Sequence, residues 1–238
     1  MYKGYSVSVV LPCYNEEEGV RVTLADMPSL VDDRVVVDNN CTDSTAEVAR
    51  AMGARVVTEA RRGYGAAIKA GFRAATGDII VTMDSDATYP RNFLPVLLDV
   101  MIEEDLDFVS CDRTGHKSEE ANSFVRVLGN FILNIAMFVL FGVWLTDSQS
   151  GMWILRRSIL PQLTLVSDNM SFSEELKIEA FTRKGIKARE LPIYYKARVG
   201  ESKLNLWHDG FANLFFLFKK RFGLVRASPD VSQVAPKA

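Results

Sequence analysis

The chain has 238 residues, enough for one substantial core, and its 48% apolar and 24% charged content is ordinary for a soluble globular protein. A formal charge of −2 and a pI near 5.8 argue against nucleic acid as a main partner, since the basic footprint that a phosphate backbone needs is missing. The 3 cysteines, Cys13, Cys41 and Cys111, stand apart with no CxxC spacing, which suits a reducing cytoplasm and rules out a disulfide framework.

The opening MYKGYSVSVVLP holds too short an apolar run for a signal peptide and predicts a first strand over Ser6–Leu11. A helix follows over Glu16–Met27, stopped near Pro28, and Arg34–Val37 predicts a second strand. The next helix starts near Ser44 behind Thr42 or Asp43 as its cap. Ala54–Thr58 is a third strand, followed by a helix through GAAIKAGFRAA. Asp78–Met83 is the fourth strand, Pro90 opens a helix to Met101, and Asp107–Cys111 is the fifth strand. Such alternation predicts an α/β sandwich around a mostly parallel sheet. Ligands of open sheets bind beyond the carboxyl ends of the strands. PCYNEEE, DNNCTDST and DSDATYP, far apart in sequence, therefore fall on one edge.

The second half is less regular. Val127–Thr146 carries no charge over about 20 residues, the length of a membrane span. Yet Asn130 and Asn134 share a helical face and Gly129 and Gly142 interrupt the run. A helix over Asn122–Leu145 is predicted, read as buried or lying on a membrane surface, with a subunit interface in a homo-oligomer or a true span as alternatives. After it come the polar loop TDSQSG and a short strand Met152–Leu155. Leu176, Ala180 and Phe181 in FSEELKIEAFTRKG have helical spacing, ended by Gly185, and Lys187–Tyr194 predicts another strand. LWHDGFANLFFLFKKRFGL is an amphipathic helix ending in Lys219, Lys220 and Arg221. Its stripe of Phe211, Phe215, Phe218 and Phe222 reads as core contact or as a face for an anionic membrane. No repeat or long linker is present, so residues 1–225 read as one domain and residues 226–238 as a disordered tail.

The chemistry concentrates where strands end. Asp84 and Asp86 stand i, i+2 after the fourth strand, so in extended backbone both carboxylates point to one face. They could share Mg²⁺ or Mn²⁺ bridging phosphate oxygens; the plainer alternative is a solvated turn. Asp38 follows three valines and could accept hydrogen bonds from a base or ribose, while Asn39, Asn40 and Asp43 read as turn residues. RRGYGAAIKAG contains GxG too late for a dinucleotide fingerprint. Its glycines would instead let a helix N-terminus approach an anion, with Arg62 and Lys69 close by. His116 and His208 are isolated and read as structural or surface residues.

VVLPCYNEEEG, VVVDNNCTDST, RRGYGAAIKAG and DSDATYP occur in the order and spacing of family 2 glycosyltransferases, which this chain resembles over residues 6 to about 215. TDSQSGMWILRR, FSEELKIEA and ARVGESKL are similar to the branch that acts on polyprenyl phosphates, the dolichyl-phosphate mannose or glucose synthases. The resemblance implies a nucleotide-diphospho-sugar transferase fold of the GT-A type, with a nucleotide-sugar half over about 1–112 and an acceptor half over about 113–225. It also implies inversion at the anomeric carbon. By that likeness Pro12, Tyr14 and Glu16 line the nucleotide pocket, Asp38 holds the base, Asp84 and Asp86 hold the metal and diphosphate, and Ser85 lies near the sugar. Arg113, Arg126, Arg198 and Lys203, with Ser202 beside it, fall where a lipid phosphate would be gripped, and Ser148 and Gln149 lie in the acceptor loop. Thr88 departs from the pattern, standing where mannose synthases often carry Gln.

The acceptor decides what else is required. A phosphate monoester is already anionic near neutral pH and needs positioning rather than a base. A sugar hydroxyl would need a carboxylate, which Glu174 or Glu175 could supply; the plainer alternative is a helix start favoured by the macrodipole. The expectation is a metal-dependent hexosyltransferase using a nucleotide sugar, with UDP preferred to GDP, and a polyprenyl phosphate, seated at the inner face of the cytoplasmic membrane. Its rivals are a soluble enzyme glycosylating a small-molecule or saccharide hydroxyl, and a non-catalytic nucleotide-binding subunit.

Overall fold

The computed structural model describes residues 1–114, 124–199 and 206–225, less the side chains of 124–126 and 206–208. The tail 226–238 lies outside the described residues. A 7-stranded sheet, ordered β3-β2-β1-β4-β6-β5-β7, organises the chain. Its strands are β1 (Val7–Cys13), β2 (Asp33–Asp38), β3 (Arg55–Thr58), β4 (Ile79–Thr82), β5 (Phe108–Asp112), β6 (Trp153–Arg156) and β7 (Ala188–Pro192). All pairings are parallel except those of β6, which runs antiparallel to both β4 and β5.

Both faces of the sheet are covered, so the central strands are apolar almost throughout rather than alternating. Val7, Val9 and Leu11 of β1 join Val36, Ile79, Val81 and Ile154 on one face. Helices α1 (Glu17–Ala25), α2 (Thr45–Ala51) and α4 (Leu94–Glu103) cover that face through Val20, Leu24, Ala49 and Leu98. On the other face Val10, Val35, Ile80, Phe108 and Trp153 meet α3 (Tyr64–Ala74) and α6 (Phe172–Thr182) through Ile68, Phe72, Phe172 and Leu176. Helix α3 sits so close that a Cβ on Gly71 would stand 2.2 Å from Val10 Cγ1 and 3.2 Å from Val37 Cγ2. Gly71→Ala should therefore lose a net ~1–2 kcal/mol, overpacking outweighing the gain in helix propensity. An unchanged thermal midpoint would show that α3 shifts freely.

Helices α5 (Phe124–Phe141) and α7 (Leu206–Arg221) pack beside α6 around a smaller core of Leu133, Met137, Ile178 and Leu217. The charge-free segment is thus a surface helix, ended at Gly142 with φ +73°, and no helix among the described residues is long and apolar enough to cross a membrane. Exposed apolar side chains line both helices: Phe131, Ile132, Ile135, Phe138 and Val139 on α5, and Phe211, Phe215 and Phe218 on α7. The helix expected from Pro90 begins instead as a 3-10 turn over Arg91–Phe93.

The strand order reverses between β1 and β4, because the chain leaves β1 for β2 and β3 on one side and returns to β4 on the other. Crevices at such points bind ligands. The carboxyl ends that meet there are Pro12–Cys13 and the residues after Thr82.

Candidate active site at the strand-order reversal

The DSDATYP turn builds the acidic centre. Asp86, only 3% exposed, accepts hydrogen bonds at Oδ1 from Thr88 N (3.1 Å) and Thr88 Oγ (2.6 Å), closing a turn in which Ala87 takes φ +64°. Its Oδ2 stands 3.1 Å from Nη1 of Arg198, whose Nη2 also contacts Glu16. Asp84 has less support: the Tyr64 hydroxyl is 3.4 Å from Oδ1. Burial and the charge of Asp86 push its carboxyl up to about 7, against the opposing pull of Arg113 and Arg198. Gly151 leaves space beside it, since a Cβ there would stand 2.9 Å from Asp84 Oδ1.

This pair fits a hard divalent cation that keeps water and substrate oxygens as its other ligands. The donors are carboxylate oxygens, the Asp84 carboxyl is pushed up by desolvation and the Asp86 charge that a cation would offset, and no group of 3 or more acidic, His or Cys side chains among the described residues could hold an ion by itself.

On the nucleotide side, Ser85 donates from Oγ to Pro12 O (3.1 Å) and its own carbonyl accepts from Thr23 Oγ (3.2 Å). The Tyr14 ring lies under the Arg62 guanidinium at 4.3 Å. Asp38 accepts Cys41 N, three residues on, at Oδ1 (2.9 Å). Asn39 clamps the following loop, donating to Glu59 O (2.9 Å) and Arg61 O (2.8 Å) and accepting from Gly63 N (2.9 Å).

Lys69 and the GxG turn do not form the anion site expected of them. Lys69 is buried with Nζ 2.6 Å from Asp168, and Ala66 N at the start of α3 donates to Asp168 O (3.1 Å). Glycines 63 and 65 are needed because a Cβ would stand 2.2 Å from Asp168 O and 2.5 Å from Ser167 O respectively. The close approach is to residues 167–168 of the chain itself.

Beyond the acidic turn, Arg113 donates from Nε (2.7 Å) and Nη2 (2.9 Å) to Asp147 and lies over the Tyr195 ring at 5.2 Å. Burial alone would raise the Asp147 pKa, but Arg113 and then Lys177 hold it well below the usual range. Residues 146–151 are fastened from several helices. Asn130 Nδ2 donates to Asp147 Oδ1 (3.2 Å), and Asn134 Nδ2 donates to Thr146 O (2.8 Å). Their carbonyl oxygens accept from Ser148 Oγ (3.1 Å) and Ser148 N (3.1 Å). The fully buried Lys177 donates to the carbonyls of Asp147 (3.0 Å), Ser148 (2.7 Å) and Ser150 (3.0 Å). Gln149 donates from Nε2 to Glu174 Oε1 (2.8 Å) and accepts from Asn213 Nδ2 (3.1 Å) at Oε1. Ser148 and Gln149 are thus engaged in shaping the loop.

The two glutamates separate. Glu174 is fully buried, its Oε2 has no partner, and burial pushes its carboxyl up to about 8 against the Gln149 hydrogen bond and Lys177. Glu175 accepts Val166 N (2.8 Å) and Ser167 N (2.7 Å) at Oε2 and pairs with Lys220 at Oε1 (3.1 Å), so neither oxygen is free for an acceptor proton. It belongs to the α6–α7 seam rather than to the reacting groups. Arg126 starts α5 with its side chain outside the described residues, as are Ser202 and Lys203. His116 also lies outside them.

Tyr64, Tyr89, Lys177 and Asn213 escaped the sequence reading. Tyr89 accepts Gly151 N at its hydroxyl (2.7 Å), which joins the acidic turn to the loop over residues 146–151. Its place in DSDATYP was the available signal; Lys177 and Asn213 lie in ordinary helical patterns and gave none.

Comparison with known proteins agrees with this geometry. The family described as Glycosyl transferase family 2 matches residues 8–164. A dolichyl-phosphate hexose transferase of Haloferax volcanii is 36% identical over 208 residues, covering 87% of this chain and 90% of that protein. Glucosyl-3-phosphoglycerate synthase of Mycobacterium tuberculosis in complex with UDP superposes with a TM-score of 0.76 at 27% identity, covering 92% of this chain and 81% of that one. The same enzyme solved with Mn²⁺, UDP-glucose and phosphoglyceric acid gives 0.70 at 26% identity, covering 92% of this chain and 80% of that one.

Proposed function

The chain belongs to glycosyl transferase family 2, and from that membership we propose that this glycosyltransferase moves a hexose or N-acetylhexosamine from a nucleotide diphosphate, UDP in preference to GDP, onto a polyprenyl phosphate. One observation carries the choice of acceptor. Burial pushes the carboxyl of Glu174, which a hydroxyl acceptor would need as its base, up to about 8, and Arg113 and Arg198 direct positive charge toward Asp84. A site so charged suits an acceptor that arrives ionised and needs no deprotonation. The Haloferax relative, a dolichyl-phosphate hexose transferase, points the same way.

In the proposed reaction an acceptor phosphate oxygen attacks the anomeric carbon as the bond to the nucleotide diphosphate breaks on the opposite face, inverting the centre. Pro12, Tyr14, Glu16, Asp38 and Ser85 line the nucleotide, and Arg113, Arg126, Arg198, Ser202 and Lys203 hold the acceptor phosphate. Asp84 and Asp86 would hold Mg²⁺ or Mn²⁺, which when bound offsets charge on the departing diphosphate. The exposed apolar side chains of α5 and α7, flanked by Lys219 and Arg221, lie on the inner face of the cytoplasmic membrane, where such an acceptor resides.

A second reading is favoured by the solved neighbour, whose complex contains phosphoglyceric acid: transfer to a hydroxyl of a small soluble molecule. The test is one incubation of the full chain with labelled nucleotide sugars, Mn²⁺, and both short polyprenyl phosphates in vesicles and small hydroxyl acceptors. An acid-labile glycosyl phospholipid of inverted configuration is expected. Transfer to the soluble hydroxyl alone would establish the second reading, and donor binding without any transfer would leave a nucleotide-binding subunit.

A further inference from the structure

Helix α7 packs its inner face on the small core through Leu217 and Leu214 and turns Phe211 and Phe215, 67% and 61% exposed, outward. Polar anchors accompany that apolar contact. Lys220 turns inward to Glu175 (3.1 Å) and Glu179 (2.9 Å), and Asn213, 4% exposed, donates to Gln149 Oε1 (3.1 Å). A buried amide is costly unless bonded, and here the bond ends on the acceptor loop. Gln149 is oriented from both sides, because its Nε2 also donates to Glu174 (2.8 Å) and to Ser148 Oγ (3.2 Å). Helix α5, which also leaves an apolar face open, grips the same loop through Asn130 and Asn134.

We propose that Asn213 is a positioning residue that transmits the seating of α5 and α7 on an anionic bilayer to Gln149 and the acceptor loop, so that contact with the surface raises turnover and not only acceptor capture. The inference rests on the membrane reading above. The bilayer is the occupant the charges favour: Lys219 and Arg221 in the last turn of α7 flank the aromatic face, with Lys219 Nζ 4.4 Å from the centre of the Phe215 ring. A bilayer would bury the exposed apolar side chains of α5 and α7 and would fix α7 from both sides, holding Asn213 against Gln149.

The experiment uses the full chain, a water-soluble short isoprenyl phosphate as acceptor, and vesicles of phosphatidylcholine with phosphatidylglycerol that contain no acceptor. Vesicles are expected to raise kcat roughly fivefold or more, with the donor KM little changed. In Asn213→Ala, vesicle binding by co-sedimentation persists and the stimulation falls to none. Amide exchange at residues 146–149 of the unmodified chain should slow on the same vesicles, which decides the matter even if the variant folds poorly. Vesicle binding with neither stimulation nor slowed exchange overturns the coupling alone, as does stimulation that survives in a folded Asn213→Ala. Failure of the unmodified chain to bind vesicles, including self-association in their place, overturns the membrane reading and the coupling with it.

Discussion

Asp84→Asn is expected to lower sugar transfer roughly 10²- to 10³-fold while making the protein more stable. The loss follows from the role proposed for this carboxylate: an amide cannot supply the negative charge that holds a cation beside a diphosphate. The gain follows from its surroundings. Asp84 lies half-buried beside Asp86, and desolvation with that neighbouring charge pushes its carboxyl up to about 7. The unfolded chain ionises this group near 3.8, so the folded state loses stability as pH rises from there to about 7 and carries the full penalty above it. The variant has no such penalty. At pH 8 it should unfold with ~1–2 kcal/mol more free energy than the parent, and at pH 3 the two should agree. Asp86→Ala should behave differently, because it removes the Thr88 turn and leaves Arg198 without one of its partners; activity and stability should fall together. Urea unfolding across pH, with transfer measured at saturating Mn²⁺, separates these outcomes. Undiminished transfer in either variant at saturating metal would remove the acidic pair from the reaction.

How far the sequence carried varies along the chain, for physical reasons. The acidic turn was legible because carboxylates at the end of an apolar strand contradict burial, and a contradiction of that kind is visible without coordinates. The layers of the first half were legible from β-branched runs separated by helical spacing. The antiparallel insertion of β6 between β4 and β5 was not, since Trp153–Arg156 is short and apolar on both sides and nothing local selects its neighbours. Gly63 and Gly65 signalled a close approach, but a glycine does not say what approaches; it is the main chain at Ser167 and Asp168, and the Asp168 carboxylate also pairs with Lys69. Glu175 failed for a similar reason, its partners Val166, Ser167 and Lys220 being set by packing of α6 against α7. Asn130 and Asn134 were anomalous in an uncharged helix, and their meaning appeared only with the loop they hold.

Glu174→Gln gives the sharpest test of what the enzyme glycosylates. The native side chain accepts from Gln149 at Oε1, a bond that the glutamine carbonyl can accept equally, so the loop geometry should persist. If the acceptor is a phosphate monoester, its ionised oxygen attacks unaided, and turnover should fall by no more than about threefold. If the acceptor is a hydroxyl, removing a base should cost roughly 10²- to 10⁴-fold. The pH dependence sharpens the contrast. The Glu174 carboxyl titrates near 8 in the folded protein against an ordinary 4.5, so base catalysis by it would give activity rising toward pH 8, a limb absent from the variant. Stability supplies an internal control. The folded parent should weaken between about pH 4.5 and 8 as the unfolded chain gains from ionising this group. The variant should escape that loss and exceed the parent by ~1–3 kcal/mol at pH 9. Equal stability at pH 9 would mean that Glu174 ionises at no cost in the fold, and its carboxyl would then give no ground for an anionic acceptor, whatever the variant's activity.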